Sequence, residues 1–254
     1  MNLRGKVKSL RDYSYKGIDK FGEISKGERQ FEEGFVRYPN NPPAGGYLAF
    51  NTEGNFDETI EYDIKENIEF KVVYSYNEKG RITEKKVNHS NNTLKYKYVF
   101  KYDNNGYLID ESIYLKDGSL SKKKVYDNQE ERNKIFVNTF FVKGELSSSA
   151  EFEYNDEGYL IKEVFNDYGV SVVRHNYYYN NKGYLIKRNQ KITSENRDMD
   201  FDNNFNYNEN GDMIESGYTS YKYEYDSQNN WIKRIEFNGG FPEFIVERKI
   251  EYYK

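Results

Sequence analysis

The 254-residue chain sets 38 Lys and Arg against 42 Asp and Glu, a net charge of −4, and the two signs alternate along its length. No basic stripe is available to neutralise phosphates, which excludes nucleic acid as a partner, and the absence of cysteine excludes disulfides, thiolate catalysis and Cys-ligated zinc. No apolar stretch approaches the roughly 20 residues of a membrane helix, so the chain is expected not to span a membrane. A mean hydropathy of −1.04 would suit disorder, but 27 Tyr, 17 Phe and one Trp are what disordered chains lack. The chain folds, and it does so with tyrosine.

The elements follow one another as copies of a single phrase. Aligned on glycine they read "IDKFGEI" (18–24), "FNTEGNF" (50–56), "YNEKGRI" (76–82), "YDNNGYL" (102–108), "YNDEGYL" (154–160), "YNNKGYL" (179–185), "YNENGDM" (207–213) and "YDSQNNW" (225–231). The steps Gly54 to Gly80 and Gly80 to Gly106 are each 26 residues, and Gly106 to Gly158 is twice that. A decayed copy is therefore expected midway, and "YDNQEER" (126–132), with Glu130 in place of Gly, supplies the ninth.

The phrase has the chemistry of a β-hairpin. Asn or Asp opens a type I turn and caps its own backbone two residues on, and Gly three residues later supplies the left-handed conformation of a bulged three-residue loop. In that register Asn155 faces Tyr159 and Tyr154 faces Leu160, and Phe152, Tyr154, Leu160, Lys162 and Val164 are expected to share one face. Second turns lie between copies at "HSNN" (89–92), "KDGS" (116–119), "VKGE" (142–145) and "NDYG" (166–169). Each period is thus two strands and two turns. "NNPPAGG" (40–46) reads as a long loop after a divergent first hairpin. We expect a single domain over 1–254, with 1–46 divergent and 47–254 regular.

Two residues beyond the apolar position each copy carries a charge: Lys26, Glu58, Glu84, Asp110, Lys134, Lys162, Lys187, Glu215 and Lys233. Placed on the aromatic face, that row predicts a face only partly buried, since a dry core would not hold it. The intervening position is Asp57 and Thr83 early but Ile109, Ile161, Ile186, Ile214 and Ile232 later, which predicts that the second half buries both faces. Nine hairpins imply on the order of eighteen strands, more than an open sheet usually holds without curling. The expected fold is all-β: antiparallel hairpin repeats in one strongly curled meander sheet, as a roll, half-pipe or incomplete barrel.

The run Tyr-Asn/Asp-x-x-Gly-x-Leu resembles the YD repeat of Rhs-type proteins, whose related repeats also build teneurins and the shell subunits of bacterial toxin complexes. The similarity covers nearly the whole chain and is strongest from Tyr76 to Trp231. It implies hairpin strands in a spiralling sheet or shell and a cell-envelope or extracellular setting, often as a lipoprotein. The start, "MNLRGKVKSL", shows no apolar signal run, so a signal or lipoprotein segment is taken to be missing from this sequence. The large members' toxin domain and autoprotease segment have no counterpart here, and no catalytic residue is carried over.

Candidate chemistry is sparse. "DNNGYLIDE" (103–111) looks like a calcium loop, but Gly106 stands three residues after Asp103, which is hairpin spacing; an EF-hand has its Gly at position 6 and Glu at 12. His89 falls in a turn, and His175 on a stripe with Tyr177 and Tyr179 reads as a half-buried sheet residue. No metal and no cofactor are expected. The candidate ligand-binding residues are Tyr177, Tyr179, Tyr184 and Trp231, whose rings could stack on a sugar or a peptide side chain. The leading expectation is a non-enzymatic scaffold that binds protein or carbohydrate through its aromatic face. The alternative is a polysaccharide-active enzyme with two carboxylates in a groove.

Overall fold

The structure is a computed structural model and describes residues 3–30, 46–63, 65–129, 133–168, 171–195 and 197–254. Most of the expected 40–46 loop, the Glu130 position of the decayed copy and the Gly169 turn lie outside these residues. Two compact units are formed, one by residues 1–95 with 207–254 and one by 96–206.

The first unit holds β1 (Val7–Lys20), β2 (Glu23–Gln30), β3 (Tyr47–Phe50), β4 (Phe56–Tyr62), β5 (Ile68–Tyr76) and β6 (Ile82–His89). From the chain's end it adds β16 (Met213–Ser216), β17 (Thr219–Tyr225), β18 (Trp231–Asn238) and β19 (Phe241–Tyr252). The second holds β7 (Leu94–Tyr102), β8 (Leu108–Leu115), β9 (Leu120–Gln129), β10 (Lys134–Phe141) and β11 (Leu146–Tyr154). It continues with β12 (Leu160–Asp167), β13 (Ser171–Tyr179), β14 (Leu185–Ser194) and β15 (Arg197–Tyr207).

From β7 to β15 each strand pairs antiparallel with the next, as the hairpin repeat requires. In the first unit the order departs from a simple meander. β1 pairs with β2 from Ser14 to Lys20, with β3 from Ser9 to Arg11, and with β19 on its other side from Val7 to Lys16. The first strand of the chain therefore hydrogen-bonds to the last, so neither chain-end strand is left as a free edge. The expected roll, half-pipe or incomplete barrel is overturned, because each would leave two unpaired edges at the chain ends. Edge strands template aggregation, and closure removes them.

The turns follow the expected chemistry. In the Asn155 hairpin the amide of Gly158 donates to the carbonyl of Asn155 (2.9 Å), and the amide of Asn155 donates to the carbonyl of Tyr159 (2.9 Å). Asn155 Oδ1 accepts from the Tyr159 amide at 2.8 Å. Gly106, Gly158 and Gly183 stand at φ 92°, 81° and 77°, a region that a bulky side chain enters only under strain. The same loop also closes the second turns, with Glu66, Asn92, Gly118 and Gly144 at φ 64°, 63°, 81° and 80°. The turn thus recurs at 54, 66, 80, 92, 106 and 118, in steps of 12 and 14 that sum to the visible 26. "YDIKENI" (62–68) is one more copy of the phrase, hidden because Glu66 replaces its glycine.

Past the turn the expected faces are wrong. Tyr154 does oppose Leu160, but the register then shifts, so that Glu153 opposes Lys162 and Phe152 opposes Glu163. Ile161 is a β-bulge residue, and bulges reverse which face every later residue occupies. The same shift follows Phe50, Tyr76, Tyr102, Tyr179 and Tyr225. The charged row consequently lies opposite Ala49, Ser75, Lys101, Tyr178 and Glu224, on the face away from the aromatic stripe. There it forms ion pairs, Asp110–Lys123 (2.8 Å), Lys134–Glu151 (2.7 Å), Lys187–Asp202 (2.8 Å) and Lys233–Glu224 (2.7 Å) among them. The isoleucines at the bulge do not bury a second face either, since Ile109, Ile186 and Ile214 are exposed.

The bulge also explains the tyrosine. It interrupts the ladder beside the carbonyl of the apolar residue that opens it, and a hydroxyl from the next copy reaches that oxygen. Tyr76 donates to Phe56 O (2.6 Å), Tyr179 to Leu160 O (2.7 Å) and Tyr223 to Met213 O (2.6 Å). Where the next copy is decayed, Asn128 Nδ2 does the same for Leu108 O (3.0 Å). In these cases the next copy supplies a side-chain donor, a tyrosine hydroxyl or the Asn128 amide, to its predecessor's bulge.

Candidate functional site

The strand β13 places Tyr177 and Tyr179 two residues apart on one face, with His175 below them. Across β12, the carboxylate of Glu163 opposes His175 and accepts from two groups: Tyr177 Oη at 2.8 Å, and His175 Nδ1 at 3.1 Å in the tautomer that donates. Burial, with the hydrogen bond to Glu163 behind it, raises the Tyr177 hydroxyl well above its ordinary pKa. The phenol therefore stays protonated and donates. Arg188 stands opposite Tyr177 on β14. The group is a half-buried acid–imidazole–phenol cluster with its hydrogen-bonding capacity turned inward.

Tyr179 spends its hydroxyl on Leu160 O and stacks on Tyr159, ring centroids 4.9 Å apart at 21°. Tyr184 sits in the following turn, its amide donating to Asn180 Oδ1 and its carbonyl accepting from the Asn180 amide, both at 3.0 Å. The three tyrosines thus belong to one hairpin; exposed Tyr159 stacks against Tyr179, and exposed Tyr178 projects from the other face of β13.

Trp231 belongs to the other unit, where it opposes Tyr225 at the start of β18. The Arg248 guanidinium lies over its indole, 3.4 Å from the ring centroid. Arg248 is buried and forks onto Asp12, Nε to Oδ1 and an Nη to Oδ2 at 2.7 Å each. Around Trp231 a small cleft is lined by Arg4, Asn210, Asp212, Asn230 and Arg248. Asn230, buried, accepts from the Arg4 amide (2.7 Å) and donates to Arg4 O (2.8 Å), tying the chain's first described residues to the β17–β18 turn.

The sequence reading missed Glu163, Arg248, Asp12 and Asn230. Glu163 had a signal: a Glu three residues past the apolar position recurs as Glu111, which accepts from Tyr126 (2.9 Å) and Lys124 (3.1 Å) in the same manner. Arg248 and Asp12 had none, being 236 residues apart. His89 ends β6 at the turn, its ring 5.5 Å from that of Phe70. Among the described residues no group of three or more His, Asp or Glu is placed to hold a metal.

Three solved structures illustrate what this chain is similar to. A porin-like protein from Bacteroides uniformis ATCC 8492 shares 9% identity over 98% of both chains, with a TM-score of 0.45. A porin-like protein from Bacteroides vulgatus ATCC 8482 shares 11% over 97% of this chain and 98% of its own, at 0.36. A TcdB2–TccC3 structure shares 12% over 80% of this chain and 15% of its own, at 0.23. No family model and no curated protein matches the chain.

The expectation that the chain does not span a membrane is withdrawn. It rested on the lack of a long apolar run, which is a test for helices; among the described residues no helix is long and apolar enough to cross. A sheet whose first and last strands pair, as β1 and β19 do here, is not tested by that criterion, because β-sheets cross with tilted strands of about 9–11 residues instead.

Proposed function

We propose that this chain is a non-enzymatic YD-repeat scaffold of the bacterial cell envelope, and that it binds a protein or glycan through the aromatic hairpin of β13 and β14. What carries the reading is the pairing of its ionic groups: Glu111, Asp110, Glu163, Glu151 and Asp202 are each tied across a strand to a cation, an imidazole or a phenol. Such pairs fix register, as cross-strand pairs do. A hydrolase of the two-carboxylate kind needs an acid and a base held free to face a bond.

Binding is carried by Tyr184 and the Tyr159–Tyr179 stack, and Trp231 is a separate contact within its own unit. Repeat proteins of this kind spread contact over several copies. A glycan array together with a pull-down from native envelope tests the proposal. Alanine at Tyr159, Tyr184 or Trp231 weakens the captured ligand gradually, and Glu163→Gln leaves binding in place. Turnover of a defined glycan that Glu163→Gln eliminates, with folding intact, would make the protein an enzyme.

A further inference from the structure

Most turns of the chain carry polar residues at their tips, such as Asn104–Asn105, Asp156–Glu157, Asn181–Lys182 and Ser227–Gln228. Three turns of the first unit do not. They are two-residue loops: Phe21–Gly22 between Lys20 and its partner Glu23, Gly217–Tyr218 between Ser216 and Thr219, and Gly239–Gly240 between Asn238 and Phe241. Their aromatic residues are nearly bare, with relative exposures of 110% for Phe21, 91% for Tyr218 and 76% for Phe241.

Pairing places all three at one end of the unit. Thr219 opposes Asn238, Asn238 opposes Phe241, and Lys16 of β1 opposes Phe244 of β19. The Gly239 amide donates to the Tyr218 carbonyl (3.2 Å), and the backbone of Pro242 approaches Gly17 closely enough that a Cβ there would lie 2.9 Å from it. Single exposed apolar residues are ordinary, whereas several collected at one end of a molecule are not.

Phe21 stands out further because it sits at φ 58°. A two-residue turn of this kind prefers Asn, Asp or Gly there, and a bulky side chain in that region is strained. The ring gains no packing in return, since it is fully exposed. Strain together with full exposure is an observed outlier of the kind that marks a contact made elsewhere.

We infer that these three tips dock on the surface of a lipid bilayer, with the rings of Phe21, Tyr218 and Phe241 seated at the headgroup level. The tips are separate knobs on separate turns, and a fluid interface accepts such knobs without matching pits. Aromatic rings favour that depth. The exposed charges flanking them are mixed, Lys16 and Lys20 against Asp19, Glu23 and Glu243. No basic cluster selects acidic lipid, so the surface is zwitterionic and the attachment is apolar in origin. The contact stands apart from the scaffold proposal, whose failure would leave it untouched.

The test is co-sedimentation of the full chain with phosphatidylcholine vesicles, with and without phosphatidylserine. Wild type sediments with both, and added salt changes little. The triple variant Phe21→Ser, Tyr218→Ser, Phe241→Ser partitions at least about tenfold less, as removal of three buried rings requires, while its melting temperature is unchanged or higher. With Phe21→Trp, emission shifts to the blue on vesicles and is quenched by brominated lipid. Equal sedimentation of wild type and triple variant overturns the inference, as does a wild type that binds neither vesicle. A dimer that the triple variant abolishes, with no vesicle binding by the wild type, assigns the tips to a second copy of the chain instead.

Discussion

Among the described residues of the unit of 1–95 and 207–254, nine hydrophobic side chains are buried: Val7, Leu10, Leu48, Phe50, Phe70, Val72, Phe237, Ile245 and Val246. In the unit of residues 96–206, only Val137 and Phe205 reach that depth among the described residues, and Asp110, Glu111, Ser112, Thr139 and Ser148 are buried as deeply. Both units are made from the same turn. The first adds a dry cluster where β1 meets β3 and β19, with Val7, Leu10, Leu48 and Phe50 packed against Phe56 and Ile250. The second relies on turn geometry and on polar pairs repeated strand after strand. Repetition alone makes strands and turns, and closing the chain ends takes a core.

The comparison breaks most readily in the first unit. Leu48 and Ile245 are 1% exposed, and Leu48→Ala or Ile245→Ala should cost about 2–5 kcal/mol in chemical denaturation, as buried large-to-small changes do. Val137→Ala, the nearest counterpart in the second unit, should cost less. Equal losses would show that the two units share one kind of core.

Next is the buried ion pair of the seam. Arg248→Met strips Asp12 of both hydrogen bonds and should cost about 3 kcal/mol, the usual result of leaving one buried charge unpaired. Asp12→Asn with Arg248→Met should recover most of that loss. A double variant as unstable as the single one would mean that the guanidinium stabilises through Trp231 and not through Asp12.

The second unit is broken at its turns. The space around Gly158 is open, so Gly158→Val acts through backbone strain alone and should destabilise by more than about 1 kcal/mol. Gly158→Asn, which copies Asn229 at φ 60°, should cost much less. Tyr179→Phe removes only the hydroxyl that reaches Leu160 O and should cost about 1 kcal/mol. Urea midpoints for the set rank the contributions.

The smallest effect is one of pH, and it separates Asp turns from Asn turns. Burial raises the Asp226 carboxyl, but hydrogen bonds from Tyr252 Oη and the Asn230 and Gln228 amides outweigh it and hold the group below the usual Asp value. A folded pKa below the unfolded value of about 4 gives stability that is present above that value and lost as pH falls through the folded one. Asp226→Asn keeps the amide acceptor and should flatten the acid limb of the midpoint–pH curve. An unchanged limb would place the acid sensitivity elsewhere.

Much of this was legible in the residues. The glycine, the Asn or Asp three before it and the aromatic–apolar pair Tyr154–Leu160 were all local, and local chemistry decides a hairpin turn. The bulge at Ile161 was not legible, because nothing in "YLIKEV" says that one residue will be left unpaired, and without it the charged row was assigned to the wrong face. Glu66 hid a copy of the repeat because the motif was sought through its glycine. At the candidate site, the tyrosines were found by type, while Glu163 was overlooked amid many acids. Closure was beyond reach for a different reason: Asp12 and Arg248 meet only because β1 and β19 pair, and no period in the chain connects its first strand to its last.

That pairing is the centre of the account, and a cysteine-free chain allows a direct test of it. Lys16 and Phe244 are cross-strand partners, within the Cα separation that a disulfide accepts. In the variant Lys16→Cys, Phe244→Cys, mild oxidation should form an intramolecular disulfide in nearly every molecule, seen as faster migration on a non-reducing gel and a mass lower by about 2 Da. Two free thiols in the folded variant, or a disulfide found only between molecules, would contradict closure of the first strand onto the last.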